Sequence, residues 1–271
     1  MAIKEEDFLV FNDWFFRYVG SFYSDDCFIR KNIKLKEEHS LRVCVNSSLI
    51  AISEDLDEED HYLAKTIGLL HDIGRFEQIR IYRTFNDSES EDHALLGVKI
   101  LESEGVLSGL PPEEQEIIFT AIKYHNVRVL PDNLDKRTFL HSKIIRDADK
   151  LDIYKVLTDH YTIREISPNP ALYHGLPDTL EYNRDLLEDI FNNRVASVNK
   201  VETCNDMNLT RLAWLFDLNF VETVCLVRKR DYIKKLVATL PQNSEIDELH
   251  DYLNRYMDSI LAISEETCCE C

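Results

Sequence analysis

Apolar residues recur at helical spacing, three or four positions apart, along most of this chain. Phe8, Phe11, Phe15, Val19 and Phe22 predict a packing helix over residues 7–23, with Trp14 near its buried side. A second helix is expected from Lys34 to Ile52, where His39, Arg42, Val43 and Asn46 share one face. The stretch Glu59 to Ile73 is apolar on nearly every side, the pattern of a central helix, and Gly74 reads as its C-terminal stop. Arg75 to Glu91 reads as a loop because Asn86, Asp87, Ser88 and Ser90 are cap and turn residues. Helical patterns resume at Asp92 to Glu104 and behind Pro111-Pro112, where Ile118, Ala121, Ile122 and His125 line up inward. After a connector from Pro131 to Thr138, a long helix is expected from Phe139 to Tyr161. Further amphipathic helices are expected near 178–198, 208–228 and 245–264. No repeat and no strand pattern stands out, so the expected fold is all-α.

Composition agrees. Seven glycines and seven prolines in 271 residues are few, which suits long helices, and the length is enough for a substantial core. The expected division is an N-terminal packing helix (1–33), a core domain (34–175), C-terminal helices packed on it (176–265) and a tail (266–271). The start Met1-Ala2-Ile3-Lys4 lacks the apolar segment of a signal peptide, and Leu212 to Val227 is too interrupted by Asp217, Asn219 and Glu222 to span a bilayer. A cytoplasmic, membrane-free protein is therefore expected. Seven cysteines, with Cys27, Cys44, Cys204 and Cys225 scattered, read as reduced thiols, and Cys268, Cys269 and Cys271 as part of a frayed tail. A net charge of −19 argues against binding a nucleic-acid polymer, but not against a small phosphorylated substrate at a metal, which can reverse the local field. Nothing in the chain indicates an oligomeric state.

The chemistry concentrates in His71-Asp72, a polar pair at the end of an apolar run. Burying such a pair unpartnered is costly. With His39 and Asp149 it offers two imidazoles and two carboxylates, a donor set suited to one Mn, Fe, Co, Ni or Zn ion with open positions for water. His93 and His125 would complete a second site with a bridging carboxylate. Each has a plainer reading. His39 alone reads as a satisfied histidine, His93 as a helix cap, and His125 as a charge favoured at the negative end of its helix. Their shared position on the apolar-facing sides or at the ends of core-type helices argues for a site instead.

His39, His71-Asp72 and Asp149, in that order, resemble the H…HD…D signature of the HD-domain metal-dependent phosphohydrolases. Leu69-Leu70-His71-Asp72-Ile73-Gly74 is similar to that family's central motif, and Asp147-Ala148-Asp149-Lys150-Leu151-Asp152 to its closing one. The resemblance spans about residues 34 to 160. It implies an all-helical HD-domain bundle with His39, His71, Asp72 and Asp149 as metal ligands, and it selects Asp149 over Asp147. Those two lie about 200° apart on a helix, so Asp147 is expected to support or cap rather than ligate. Asp92-His93-Ala94-Leu95-Leu96-Gly97 and Ala121-Ile122-Lys123-Tyr124-His125 resemble the additional histidine elements of binuclear members, among them cyclic-dinucleotide phosphodiesterases and dinucleotide tetraphosphate hydrolases. The HD-GYP branch has Lys where this chain has Arg75, and paired histidines where it has His125-Asn126.

The implied activity is hydrolysis of a phosphate ester or anhydride on a small nucleotide-like substrate. Asp72 would orient or deprotonate the attacking water, His93 or His125 would protonate the leaving oxygen if neither holds metal, and Arg75 and Lys150 would steady phosphoryl oxygens. Alternative readings are a metal-dependent nucleotide sensor without turnover, a di-iron oxygenase of HD type, and a purely structural helical protein.

Overall fold

The computed structural model describes residues 3–163, 166, 169–172 and 175–268, and these form helices without a strand among them. They fall into two compact units, Met1–Asp152 and Ile153–Cys271. The first holds α1 (Glu5–Gly20), α2 (Cys27–Ser53), α3 (Glu58–Leu70), α4 (Ile73–Tyr82), α5 (His93–Ser103), α6 (Pro112–Lys123) and the N-terminal part of α7 (Lys136–Ile163). The second holds the rest of α7, then α8 (Arg184–Phe191), α9 (Cys204–Ala213), α10 (Val221–Lys229), α11 (Tyr232–Val237) and α12 (Ser244–Cys268).

Three elements of the first unit depart from expectation. Helix α2 begins at Cys27 rather than Lys34, because the Asp26 carboxylate accepts hydrogen bonds from Phe28 N and Ile29 N and caps it there. His71 and Asp72 lie in a two-residue junction between α3 and α4 rather than at the end of a helix followed by a loop. Gly74 is not a helix stop. It belongs to α4, a helix that buries Ile73, Phe76 and Ile79 at intervals of three, and only residues 83–92 form the connection to α5. Arg83, in the left-handed conformation at φ 57°, ends α4.

Close helix approach explains two glycines. A Cβ on Gly74 would stand 2.1 Å from the His93 carbonyl oxygen and 2.7 Å from Gly97 N, so α4 and α5 cross backbone to backbone. A Cβ on Gly68 would stand 2.9 Å from the Cys44 Cα, so α3 lies against α2 in the same way. The Asn46 amide donates to the Ala148 carbonyl at 3.2 Å and ties α2 to α7. These contacts bring the ends or faces of five helices to one point. At the far end of α3, Asp57 caps the helix, and Asp60 accepts from Arg137 and the buried His141 of α7.

In the second unit the helix expected over 208–228 is broken. Trp214–Asp217 makes a tight 3-10 turn and Asn219 donates to the Asp217 carbonyl, so the polar interruptions of that apolar stretch become a corner between α9 and α10. The helix expected over 178–198 shortens to α8, and α11 was not anticipated. The hydroxyl of Tyr154 donates to the Arg211 carbonyl at 2.8 Å, and its ring packs beside Trp214 and Tyr232. Cys27, Cys44, Cys204 and Cys225 are free thiols. Cys269, Cys271 and the side chain of Cys268 lie outside the described residues. No helix among the described residues is long and apolar enough to cross a membrane.

Candidate metal centre

Each donor arrives by a separate structural device. His39 comes from the middle of α2, and His71 and Asp72 from the α3–α4 junction. His93 is the first residue of α5. The helix cap expected of it belongs instead to Asp92, whose carboxylate accepts from Ala94 N and Leu95 N, leaving the His93 side chain to turn inward. His125 follows the end of α6, and Asp149 comes from α7. All four histidines and Asp72 are buried.

The four imidazoles share one orientation. His71 Nδ1 donates to the Gly68 carbonyl at 2.9 Å, and His125 Nδ1 to the Ile122 carbonyl at 2.6 Å. His39 Nδ1 meets an Asp152 oxygen at 2.7 Å, and His93 Nδ1 meets an Asp87 oxygen at 2.7 Å. Carbonyls and carboxylates only accept, so these contacts assign the ring protons to Nδ1 and turn every Nε2 toward the centre. A backing of this kind is what orients histidines that bind metal.

The Nε2 atoms meet in two pairs. His39 and His71 are 3.3 Å apart, and His93 and His125 are 3.0 Å apart. Asp72 lies between the pairs with one oxygen toward each. Its Oδ2 is 3.3 Å from His39 Nε2 and 3.5 Å from His71 Nε2, whereas its Oδ1 is 3.5 Å from His93 Nε2 and 4.0 Å from His125 Nε2. Asp149 Oδ1 joins the first pair, 3.2 Å from His39 Nε2 and 3.7 Å from His71 Nε2. His39, His71 and Asp72 form one group with metal-binding spacing; Asp72, His93 and His125 form another.

The electrostatics fit a cation. Burial pushes the Asp72 carboxyl up, but Lys36, His71 and His39 outweigh it and hold Asp72 well below the usual carboxylate range. Burial likewise opposes the ionisation of Asp149, but hydrogen bonds to His39 and His71 outweigh it and hold this carboxyl well below its ordinary value. Burial first, and then the neighbouring His93 and His71, push His125 down to about 3, so this ring offers a lone pair at neutral pH. His93 is lowered by burial and by Arg75. Two neutral rings whose Nδ1 protons are already engaged present facing lone pairs, an arrangement that a shared cation relieves. Arg75 Nε adds a buried donor with no hydrogen-bond partner, 3.6 Å from Asp72 Oδ1. The residues therefore fit one divalent ion, or two with Asp72 between them.

The remaining site candidates are distributed less evenly. Arg75 Nη1 donates to Gln78 Oε1, the Phe85 carbonyl and Asp87 Oδ1 at 2.7, 2.7 and 2.9 Å, so it fastens the 83–92 connection beside the site. Lys150 is buried next to Asp149 on α7. Asp147 is also buried and acts electrostatically on Glu54 at the end of α2. The supporting position at His39 belongs to Asp152, which also accepts from Arg42 Nε at 2.6 Å. Sequence reasoning missed three members of the site: Asp152 as the backing of His39, Asp87 as the backing of His93, and Lys36, whose Nζ donates to Asp72 Oδ2 at 2.6 Å. Lys36 and Asp152 carried a readable signal, Lys36 lying three residues before His39 and Asp152 three after Asp149, each on the same helix face as a ligand.

A family model described as HD domain matches residues 37–154. Neither a curated protein nor a solved structure matches the chain.

Proposed function

We propose, from the HD-domain match over residues 37–154, that this chain is a metal-dependent phosphohydrolase acting on a phosphate ester or anhydride of a small nucleotide-like substrate. The observation that carries the proposal is Asp72, a buried carboxylate with one oxygen toward each of two histidine pairs. His39, His71, Asp72 and Asp149 would hold the first ion, and Asp72, His93 and His125 the second. Bound metal supplies a water of lowered pKa and a Lewis acid for a phosphoryl oxygen.

The chain's own residues do the rest. Asp152, Asp87 and the carbonyls of Gly68 and Ile122 hold the four rings in the tautomer that presents Nε2. Asp72 and Asp149 stay ionised through neutral pH, so either would accept a hydrogen bond from a water held beside it and orient that water. Asp149, Lys36 and Arg75 are the more exposed members of the site, with side chains 16%, 16% and 14% exposed against at most 3% for the four rings. A substrate approaching past them would meet both cations. The nucleotide-like character of the substrate rests on the resemblance of the His93 and His125 segments to binuclear members of the family.

The test is metal analysis joined to an activity panel. Protein loaded in turn with Mn, Fe, Co, Ni and Zn is offered nucleoside mono-, di- and triphosphates, dinucleotides and cyclic dinucleotides. We expect turnover with at least one pairing. His39→Ala should lose all metal and activity, while His93→Ala and Asp87→Asn should lose the second ion and retain the first. Ligand binding without turnover under every metal would make the protein a sensor instead.

A further inference from the structure

We propose that Lys36 grips the substrate's phosphoryl group beside the first ion, and that it helps make the loaded site selective for anions. This rests on the phosphohydrolase reading of the site. Lys36 stands on α2 three residues before His39, and its ammonium is 5.3 Å from the centre of the Phe85 ring. Among the described residues, its hydrogen bond goes to Asp72 Oδ2. That oxygen also faces His39 and His71, so it is the one the first ion would share. An ammonium carries three donors in total, and this side chain is 16% exposed, more than any of the four rings. With Asp72 holding an ion, Lys36 would have donors free for another acceptor. A phosphoryl oxygen is the partner whose charge and geometry suit them.

Charge counting gives the same answer. With the first ion alone bound, Asp72 and Asp149 together would neutralise it. Asp152 is matched by Arg42, and Asp87 by Arg75. Lys36 then adds a positive charge to the loaded site, and a second ion would add to it, within a chain whose net charge is −19. Arg75, the other cation beside the site, has its Nη1 committed to Gln78, Phe85 and Asp87, and keeps its Nε as a donor beside Asp72 Oδ1. Lys36 thus joins Arg75 in the phosphate grip.

The experiment titrates inorganic phosphate into Mn²⁺-loaded protein by calorimetry, with Mn²⁺ stoichiometry measured beside it. Lys36→Gln should bind phosphate about tenfold to a hundredfold more weakly than wild type, as loss of a charged hydrogen bond implies, with its metal content unchanged. Lys36→Arg should recover most of the affinity. Lys36→Met, which keeps the packing of the stem, replaces Lys36→Gln should the latter not fold. Phosphate binding as tight as wild type in the neutral variants, or loss of Mn²⁺ together with phosphate, would overturn the assignment and leave the hydrolase reading standing. A wild type that neither binds phosphate nor hydrolyses any phosphate ester would remove the hydrolase reading, and this assignment with it.

Discussion

His39 shows how a single ring couples the loading of this site to pH. Burial alone pushes it down, and Lys36 adds to that, but hydrogen bonds to Asp149, Asp152 and Asp72 outweigh both and raise the metal-free ring to about 10. In the metal-free protein the protonated ring therefore adds stability that is fully present below its ordinary value of 6.5 and is lost as pH rises through about 10. Metal needs the Nε2 lone pair, so the proton must leave. Affinity for the first ion should rise with pH up to about 10, and at pH 7 its binding should release about one proton. Calorimetry in buffers of different ionisation heat measures this directly, and a binding heat independent of the buffer would contradict it. At this scale the ligands were legible because helical spacing shows which residues face inward. Asp152 was not legible as the partner of His39, because 113 residues separate them and nothing local marks the contact.

Among the elements, α4 matters most to the site, and its sequence pattern points to a loop instead. Gly74 follows an apolar run and looks like a helix stop, yet its role is to let α4 and α5 touch. Gly74→Ala would place a Cβ 2.1 Å from the His93 carbonyl oxygen, against backbone that cannot swing aside. We expect a loss of about 1–3 kcal/mol or more in urea denaturation, together with weaker binding of the second ion because His93 is displaced. Gly20→Ala is the control: nothing lies within 4 Å of its added Cβ, so it should be neutral or slightly stabilising. Equal effects of the two substitutions would show that the α4–α5 crossing is not tight. The connection over residues 83–92 also gained meaning from the fold. Its turn-forming Asp87 reads locally as a cap, but in three dimensions one oxygen serves His93 while the other serves Arg75 and Gln78.

For the whole molecule, charge gives an unusual expectation. A net charge of −19 repels an anionic substrate at long range, while the loaded site attracts it at short range. Raising ionic strength from about 0.01 M to about 0.15 M shortens the screening length from about 30 Å to about 8 Å and removes mostly the long-range part. We therefore expect kcat/KM to rise severalfold over that range with kcat nearly constant. A steady fall with salt would mean that the local positive field dominates the approach.

The sequence by itself determined that this protein is helical and which faces of its helices are apolar, and the resemblance to the HD family singled out His39, His71, Asp72 and Asp149, with His93 and His125, as candidate ligands. Those are properties of one helix at a time, and periodicity reports direction about a helix's own axis. Only the tertiary structure decided that the Nε2 atoms converge in two pairs, that Asp72 divides its oxygens between them, and that Asp152, Asp87 and Lys36 belong to the site. These depend on how closely helices cross and on which side chains meet across them. Backbone contacts at Gly68 and Gly74 set those crossings, and no local pattern encodes the distance between two segments far apart in the chain.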